Sequence, residues 1–388
     1  MIYKKKYKFI LAFLLIGIIG LFLCACTDDI QDTQKQDLNW KDMSVTNSLA
    51  LQYAEQFTVD YYEDGYALIT IAGTERYLVI PEEMDEPDGL DQDITVLHRP
   101  FDKIYLAATS AMDLIRAVDG AEFVAFSGTK AEDWYIEEAR TAMENGDMLF
   151  AGKYSAPDFE LLLDGGCNLA IESTMILHNP EIKEQLEAVG IPVLVERSSY
   201  EQHPLGRMEW IKLYGVLFGK EQEACDFFDS QAGAVSEVLE QEKTDLTVAF
   251  FYVTPNGSVN VRKAGDYVAK MIELAGGEYV FSDLEDENEN ALSTMTIQME
   301  EFYSKAKDAD YLIYNSTIAG TLPDLDALYE KSDLFRDFKA VQNGNVFCTE
   351  QNMFQESTGF CDMILDIHSI LMDENVGDDE LKYLYRLR

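Results

Sequence analysis

Apolar and polar positions first fall into a regular pattern from Phe57 onward. The runs "FTVDYY", "YALITIAG" and "RYLVIP" are β-branched and aromatic, and they are separated by Glu63-Asp64-Gly65 and Gly73-Thr74-Glu75. This is the spacing of hairpin turns, and it predicts a small antiparallel β unit over residues 51–95. From about Asp102 the pattern becomes an alternation of strand and helix. "KIYLAA", "FVAFSG", "NLAIE" and "PVLVE" are short strand-like runs, and helical stretches such as "PEIKEQLEAVG", with Ile182, Leu186 and Val189 on one face and Gly190 at its end, lie between most of them. Units that alternate in this way predict a parallel sheet covered by helices. The alternation pauses at "KEQEACDFFDSQAGAVSEVLEQEK", where Ala224, Phe227, Phe228, Ala232, Val235 and Leu239 recur at three- and four-residue steps. A continuous helix of roughly 20 residues, about 30 Å long, is expected there. "LTVAFFYV", "EYVF", "YLIYN" and "NVFCTE" then resume the strand and helix pattern. The expected organisation is α/β: an amino-terminal lobe over 96–220, a connecting helix over 221–243 and a carboxy-terminal lobe over 244–388.

The first residues are of a different kind. Lys4, Lys5, Lys6 and Lys8 form a basic start, and Phe9 to Leu23 is almost unbroken apolar sequence. That run is shorter than the roughly 20 residues a membrane-spanning helix needs, so a secretory signal over residues 1–25 is the better reading. It ends in Leu23-Cys24-Ala25-Cys26, the order of a bacterial lipobox, which makes Cys26 the residue expected to carry the lipid. Two or more acyl chains hold a protein stably where one holds only marginally. The polar, unpatterned residues 26–50 read as a tether between the lipid and the fold, and everything after them is expected on the extracellular face of the cell membrane.

Composition narrows the function. The chain has 71 acidic against 30 basic residues and a formal net charge of −41, more negative still once the four amino-terminal lysines are set aside. Such a chain repels nucleic acid and anionic headgroups, which excludes a phosphate-backbone partner. Cys167, Cys225, Cys348 and Cys361 show no metal spacing, and they read mostly as buried singles in a compartment that permits disulfides. The sequence lacks a dinucleotide fingerprint, a Walker loop, HExxH and GxSxG. "DLEDENEN" lacks the glycine and glutamate of a calcium loop, and the four scattered histidines form no zinc cluster. No catalytic set, metal site or resident cofactor is expected. A hydrolase would need a nucleophile beside a base, or three converging ligands, and neither is visible.

An internal echo carries more information. "SAPDFELLLDGGCNLAIEST" and "TMTIQMEEFYSKAKDADYLIYNST" both place a glutamate at a helix start, then a strand, then Ser-Thr. The helix dipole is a sufficient structural reason for each carboxylate. Taken with the lipobox, the tandem α/β lobes and the long connecting helix, these motifs resemble the substrate-binding lipoproteins of bacterial ABC importers, in the branch that captures iron complexes, haem and cobalamin. The resemblance covers about Asp102 to Arg388, and "ATSAM" (Ala108 to Met112) and "ERSSYEQHPLGRMEW" are similar to a Gram-positive subgroup.

The resemblance implies a monomer that binds without turnover, with an ABC permease and its ATPase as partners. It also implies a largely preformed cleft lined by loops after the carboxyl ends of the strands. Those loops supply Thr109, Ser110 and Met112; Thr129, Lys130 and Trp134; Ser173, Thr174 and Met175; Arg197, Tyr200 and His203; Asn256, Arg262 and Tyr267; and Asn315, Ser316 and Thr317. Arg197 and Arg262 suit an anionic chelate through their planar forks, whereas Tyr200 or His203 suit direct ligation of ferric iron, and the sequence leaves both open. By motif, the glutamates that dock on the permease fall on Glu160 and on Glu300, with Glu301 as the adjacent competitor. A sensory or adhesive surface lipoprotein, or an extracellular hydrolase on the same fold, is the alternative.

Overall fold

The computed structural model describes residues 38–241, 243–284, 294–372 and 376–388. Cys26 and the signal-like segment lie outside the described residues. Residues 38–42 and 87–89 form a small unit of their own, in which Asn39 and Asp88 share a bridge.

The rest of the chain opens with a five-stranded sheet. Its strands are β1 (Val45–Ser48), β2 (Phe57–Tyr62), β3 (Ala67–Ile71), β4 (Glu75–Ile80) and β5 (Ile94–His98), paired in sequence order. The turn between β3 and β4 closes through Thr74 N–H donating to the Ile71 carbonyl, with Ala72 at φ 50° and Gly73 at φ 70°. Two consecutive left-handed residues are what a type I′ hairpin turn requires. The sheet departs from the expected antiparallel unit over 51–95 at two places: β1 falls within residues 26–50, expected as a tether, where it pairs with β2, and the last strand is parallel. β5 pairs with β4 in parallel, because the segment 81–93 first carries the chain back to the start of β4, and parallel neighbours need such a crossover.

The next sheet is wholly parallel, in the order β12-β11-β6-β7-β8. It contains β6 (Ile104–Leu106), β7 (Val124–Ser127), β8 (Leu149–Phe150), β11 (Leu169–Ser173) and β12 (Val193–Glu196), and the short hairpin β9 (Gly152–Lys153) and β10 (Ala156–Pro157) lies beside it. Leu169, Ile171 and Leu194 pack into one apolar cluster, while Ala170, Val193 and Val195 pack into another. Burial on both faces accounts for strands that read as nearly continuous apolar runs.

Helices Pro204–Glu209 and Ile211–Phe218 lead to the long helix Glu221–Leu239, about 28 Å at 1.5 Å per residue. It buries Ala224, Phe228, Val235 and Val238 and ends at Leu239, short of Lys243. The last sheet runs β16-β14-β13-β17-β18-β19, with β15 on β13. Its strands are β13 (Thr247–Val253), β14 (Val259–Arg262), β15 (Glu278–Tyr279), β16 (Thr294–Ile297), β17 (Tyr311–Tyr314), β18 (Val346–Thr349) and β19 (Leu384–Arg386). The centre, β15, β13, β17 and β18, is parallel; β14, β16 and β19 are antiparallel. β14 returns through a tight turn in which Gly257 has φ 81° and Thr254 hydroxyl donates to the Ser258 carbonyl, and a strand joined by so short a turn can only be antiparallel.

Cys167, Cys225, Cys348 and Cys361 are free thiols. Burial pushes Cys167 up to about 11 and Cys348 and Cys361 up to about 12, which leaves these thiols unreactive at neutral pH. Among the described residues no helix is long and apolar enough to cross a membrane.

Candidate functional site

The carboxyl ends of β6 and β7 in the first lobe meet the loop after β18 in the second. The first two are tied together by a 2.9 Å hydrogen bond between the hydroxyls of Thr109 and Thr129. Ser127 Oγ donates to the Thr129 carbonyl and accepts from the Trp134 indole at 3.3 Å, which places Trp134 inside the lobe rather than at its surface. Across the junction, Gln355 accepts from Tyr135 N–H through Oε1 and donates to the Asp133 carbonyl through Nε2, both at 2.8 Å. Ser357 Oγ donates to the Ser110 carbonyl at 3.1 Å, and Thr358 N–H donates to buried Asp113 at 2.6 Å. Arg116 holds the other oxygen of Asp113, also at 2.6 Å. The strand ends of the two lobes therefore face one another and are joined along one side.

The loop after β12 is organised by buried acids. Glu196 accepts from Ser198 N–H at 2.8 Å, and burial raises its carboxyl above the ordinary range. Arg197 lies 3.9 Å from Glu75 of β4, and its guanidinium sits 5.0 Å from the centre of the Tyr200 ring. Glu75 also accepts from Tyr77 hydroxyl at 2.8 Å, and Tyr77 in turn accepts from Val195 N–H on the open edge of β12. His203 caps helix Pro204–Glu209 by accepting from Leu205 N–H through Nδ1. Its ring stacks on Tyr53 at 4.6 Å, and burial, reinforced by nearby Lys270, lowers it to about 4. A neutral imidazole already committed as a helix cap is poorly placed to bind a metal.

The strap 50–56, between β1 and β2, is held from the end of that helix and from Glu201 just before it. Glu209 accepts from the N–H groups of Gln52, Tyr53 and Ala54 at 2.8–3.0 Å and from Lys212 Nζ at 2.7 Å. Glu201 accepts from Glu55 and Gln56 N–H and from the Trp210 indole at 2.8–3.1 Å. Seen from the sequence, neither glutamate differs from the many solvated acids around it.

In the second lobe, Arg262 is buried at the end of β14, 3.6 Å from Asp266 and 5.0 Å from the centre of the Phe354 ring. Arg207, from the first lobe, stacks on Tyr267 at 3.7 Å and donates to the carbonyls of Glu201 and Ser199. The fold thus brings Arg207, Arg262 and Tyr267 together across the lobe junction. Asn315 is buried and turned onto its own helix, where it accepts from Thr317 N–H and hydroxyl. Lys130 is exposed beside Glu132 at 3.6 Å, Ser110 and Thr174 are half-buried, and Tyr200 is exposed. Glu160 and Glu300 are both exposed in the first turns of helices Phe159–Asp164 and Met299–Ala306, one on each lobe, and Glu301 is exposed beside Glu300. Gln355, Glu75 and Arg207 were not singled out from sequence. The "QNMFQEST" stretch after β18 was the available signal for Gln355, since it follows a parallel strand as the other cleft loops do.

Among the described residues no three His, Cys, Asp or Glu side chains converge to hold a metal. A groove of about 650 Å³, lined by Asp245, Glu273, Lys305 and Asp308 among others, lies at the amino-terminal margin of the last sheet, away from the strand ends described above.

Residues 105–353, more than half of the chain, match the periplasmic binding protein family. The chain belongs to that family. An uncharacterized lipoprotein of Methanocaldococcus jannaschii is 25% identical to this chain in an alignment that covers 93% of each. Coverage of that extent cannot omit the whole of residues 38–104, so the relative shares at least part of the β unit that precedes the family's matched region. A periplasmic haem-binding protein of Vibrio cholerae has the same fold, with a TM-score of 0.57 at 16% identity over 71% of this chain and 100% of its own. A possible iron-binding periplasmic solute-binding protein from Staphylococcus epidermidis gives 0.55 at 14% identity, over 71% and 100%. The family binds solutes, and the two-lobed α/β architecture with facing strand ends is the arrangement that does so.

Proposed function

We propose that this protein is the lipid-anchored, extracellular substrate-binding component of an ABC importer. It captures an iron complex, haem or a cobalamin-like ligand between its lobes and delivers it, as a monomer, to a permease. The observation that carries the reading is the matched pair Glu160 and Glu300: each is exposed, each sits in the first turn of a helix, and each belongs to a different lobe. A carboxylate on each lobe suits an arginine on each half of a two-fold permease, where such pairs set encounter rate and register. Cys26 supplies the anchor.

The test is transport by the full chain in vesicles that hold its permease and ATPase. Glu160→Ala and Glu300→Ala should leave ligand affinity within about twofold and lower uptake and ligand-stimulated ATP hydrolysis by roughly tenfold each, with Glu160→Lys worse than Glu160→Ala. In cells, Cys26→Ala should release the protein or leave a precursor, while Cys24→Ala should not. Normal transport by both alanine variants overturns the docking role and leaves a sensory or adhesive role as the better reading.

A further inference from the structure

Helix Pro204–Glu209 is gripped from two sides. On one side lies the strap 50–56, so close that a Cβ on Gly206 would stand 2.8 Å from the Tyr53 carbonyl oxygen. That is inside contact distance, so the backbone of the strap rests on the backbone of the helix and only glycine fits between them. Tyr53 also stacks on His203 at the helix cap. The N–H groups of Gln52 through Gln56 all end on Glu201 and Glu209, one just before the helix and one at its end. On the other side lies the second lobe. Arg207 covers the Tyr267 ring at 3.7 Å, and Met208 Sδ is 4.0 Å from Cys361 Sγ.

The strap is neither strand nor helix, so its N–H groups depend on these two carboxylates, and strap and helix cannot part without leaving all of them unpaired. Apolar packing would cover the helix as well, but two fully partnered carboxylates fix one height and one register. Arg207 passes this on. Its guanidinium donates to the carbonyls of Glu201 and Ser199, which binds the loop 197–203 after β12 to the helix that the strap holds. The carboxyl end of a parallel strand is where open α/β sheets take their ligands. Strap, helix and loop form one body, with the β unit on one face and the second lobe on the other.

We propose that the strap 50–56 is the positioning element of the solute site: it sets the loop 197–203 and Arg207 at the lobe junction. The β unit, which precedes the family's matched region, then takes part in solute capture as well as in folding. The inference rests on the solute-capture reading above.

The experiment uses the full chain in detergent. Its probes are haemin, cyanocobalamin, ferric tris-catecholate and any metal complex that the parent retains through purification, and the tightest of them is carried forward. Gly206→Ala drives a methyl group against the Tyr53 carbonyl while adding a better helix former, so any loss comes from the displaced strap. Tyr53→Ala removes the stack on His203, and Tyr53→Phe keeps it. Hydrogen exchange read by mass spectrometry follows the loop, and the amides of β13 and β17 report that the fold is kept. Gly206→Ala and Tyr53→Ala should each speed exchange across 198–203 by about tenfold or more, with β13 and β17 unchanged. Both should weaken the chosen probe by about tenfold, because the competent arrangement of the loop is then populated for a smaller fraction of the time. Tyr53→Phe should stay within about twofold of the parent in both readouts. Faster exchange in the loop with unchanged affinity makes the strap a structural prop and overturns the proposal while solute capture stands. Unchanged exchange in both variants does the same, and so does faster exchange at β13 and β17 in both, which would give the strap to folding. Failure of the parent to bind any probe, with nothing retained on purification, overturns solute capture and the proposal together.

Discussion

Two regions of this protein bury glutamate, and they treat it in opposite ways. Glu209, in the helix under the strap 50–56, is fully buried and accepts from three backbone N–H groups and Lys212. Glu172, on β11, is just as buried, and neither of its oxygens has a hydrogen-bond partner. Burial alone pushes its carboxyl up to about 8, so it is largely protonated at neutral pH. The lesson is that equal depth can leave one acid fully partnered and another with no partner. Glu209 is given an ammonium and three N–H groups in place of its lost water, and Glu172 is given no donor at all.

The largest expected effect lies on the donor-rich side. Glu209→Ala takes the acceptor from three N–H groups and leaves the Lys212 ammonium with the Ala50 carbonyl but no counter-charge, and unpairing a buried ion pair costs about 3–5 kcal/mol. Denaturant unfolding of the purified protein should show a loss of that size, and Glu209→Gln should recover little of it. A change below about 1 kcal/mol would mean that the strap is not anchored through this carboxylate.

Glu172 should behave in the reverse sense. The unfolded chain loses this proton near 4.5 and the folded chain near 8, so stability falls as pH rises through that window and levels off above it. Glu172→Gln cannot ionise and should be more stable than the parent at pH 9, on the order of 2–3 kcal/mol, with little difference at pH 4. Thermal unfolding at the two pH values tests this. Equal gains at both would show that packing, not ionisation, is responsible.

His203 gives a smaller effect with the opposite pH dependence. Its folded value of about 4 lies below the ordinary 6.5, so stability is present above 6.5 and is lost as pH falls toward 4. His203→Asn keeps a helix-capping acceptor, does not titrate and loses the stack on Tyr53. It should cost about 1 kcal/mol at pH 7, and the difference in stability between parent and variant should shrink as pH falls from 6.5 to 4, because only the parent loses the His203 contribution. A parent-to-variant difference that stays constant between pH 6.5 and 4 would place the titration elsewhere.

The legible part of the molecule was local. β6, β7, β11 and β12 fall on "KIYLAA", "FVAFSG", "NLAIE" and "PVLVE", and β13, β15, β17 and β18 fall on the four runs of the second half, because each strand announces itself in a run of four to eight consecutive residues. The exposed glutamates 160 and 300 were visible as an internal echo of two helix starts. The candidate ligand residues were less so. Lys130 and Tyr200 are exposed, but Trp134 and Asn315 turn inward, because Ser127 and Thr317 lie close enough to hold them. Strand ends can be read from periodicity; the rotamer chosen there cannot.

The sequence by itself determined the order of strands and helices, the long apolar stripe from Ala224 to Leu239 and the acidic excess, since all three are sums over neighbours along the chain. Tertiary structure decided which charges remain free. Arg262 meets Asp266 four residues away across the short loop between β14 and the next helix, but Arg197 meets Glu75 from another sheet, and Gln355 meets Asp133 and Tyr135 from another lobe. Electrostatic pairing depends on distance in space, and separation along the chain carries no information about it until the sheets are packed.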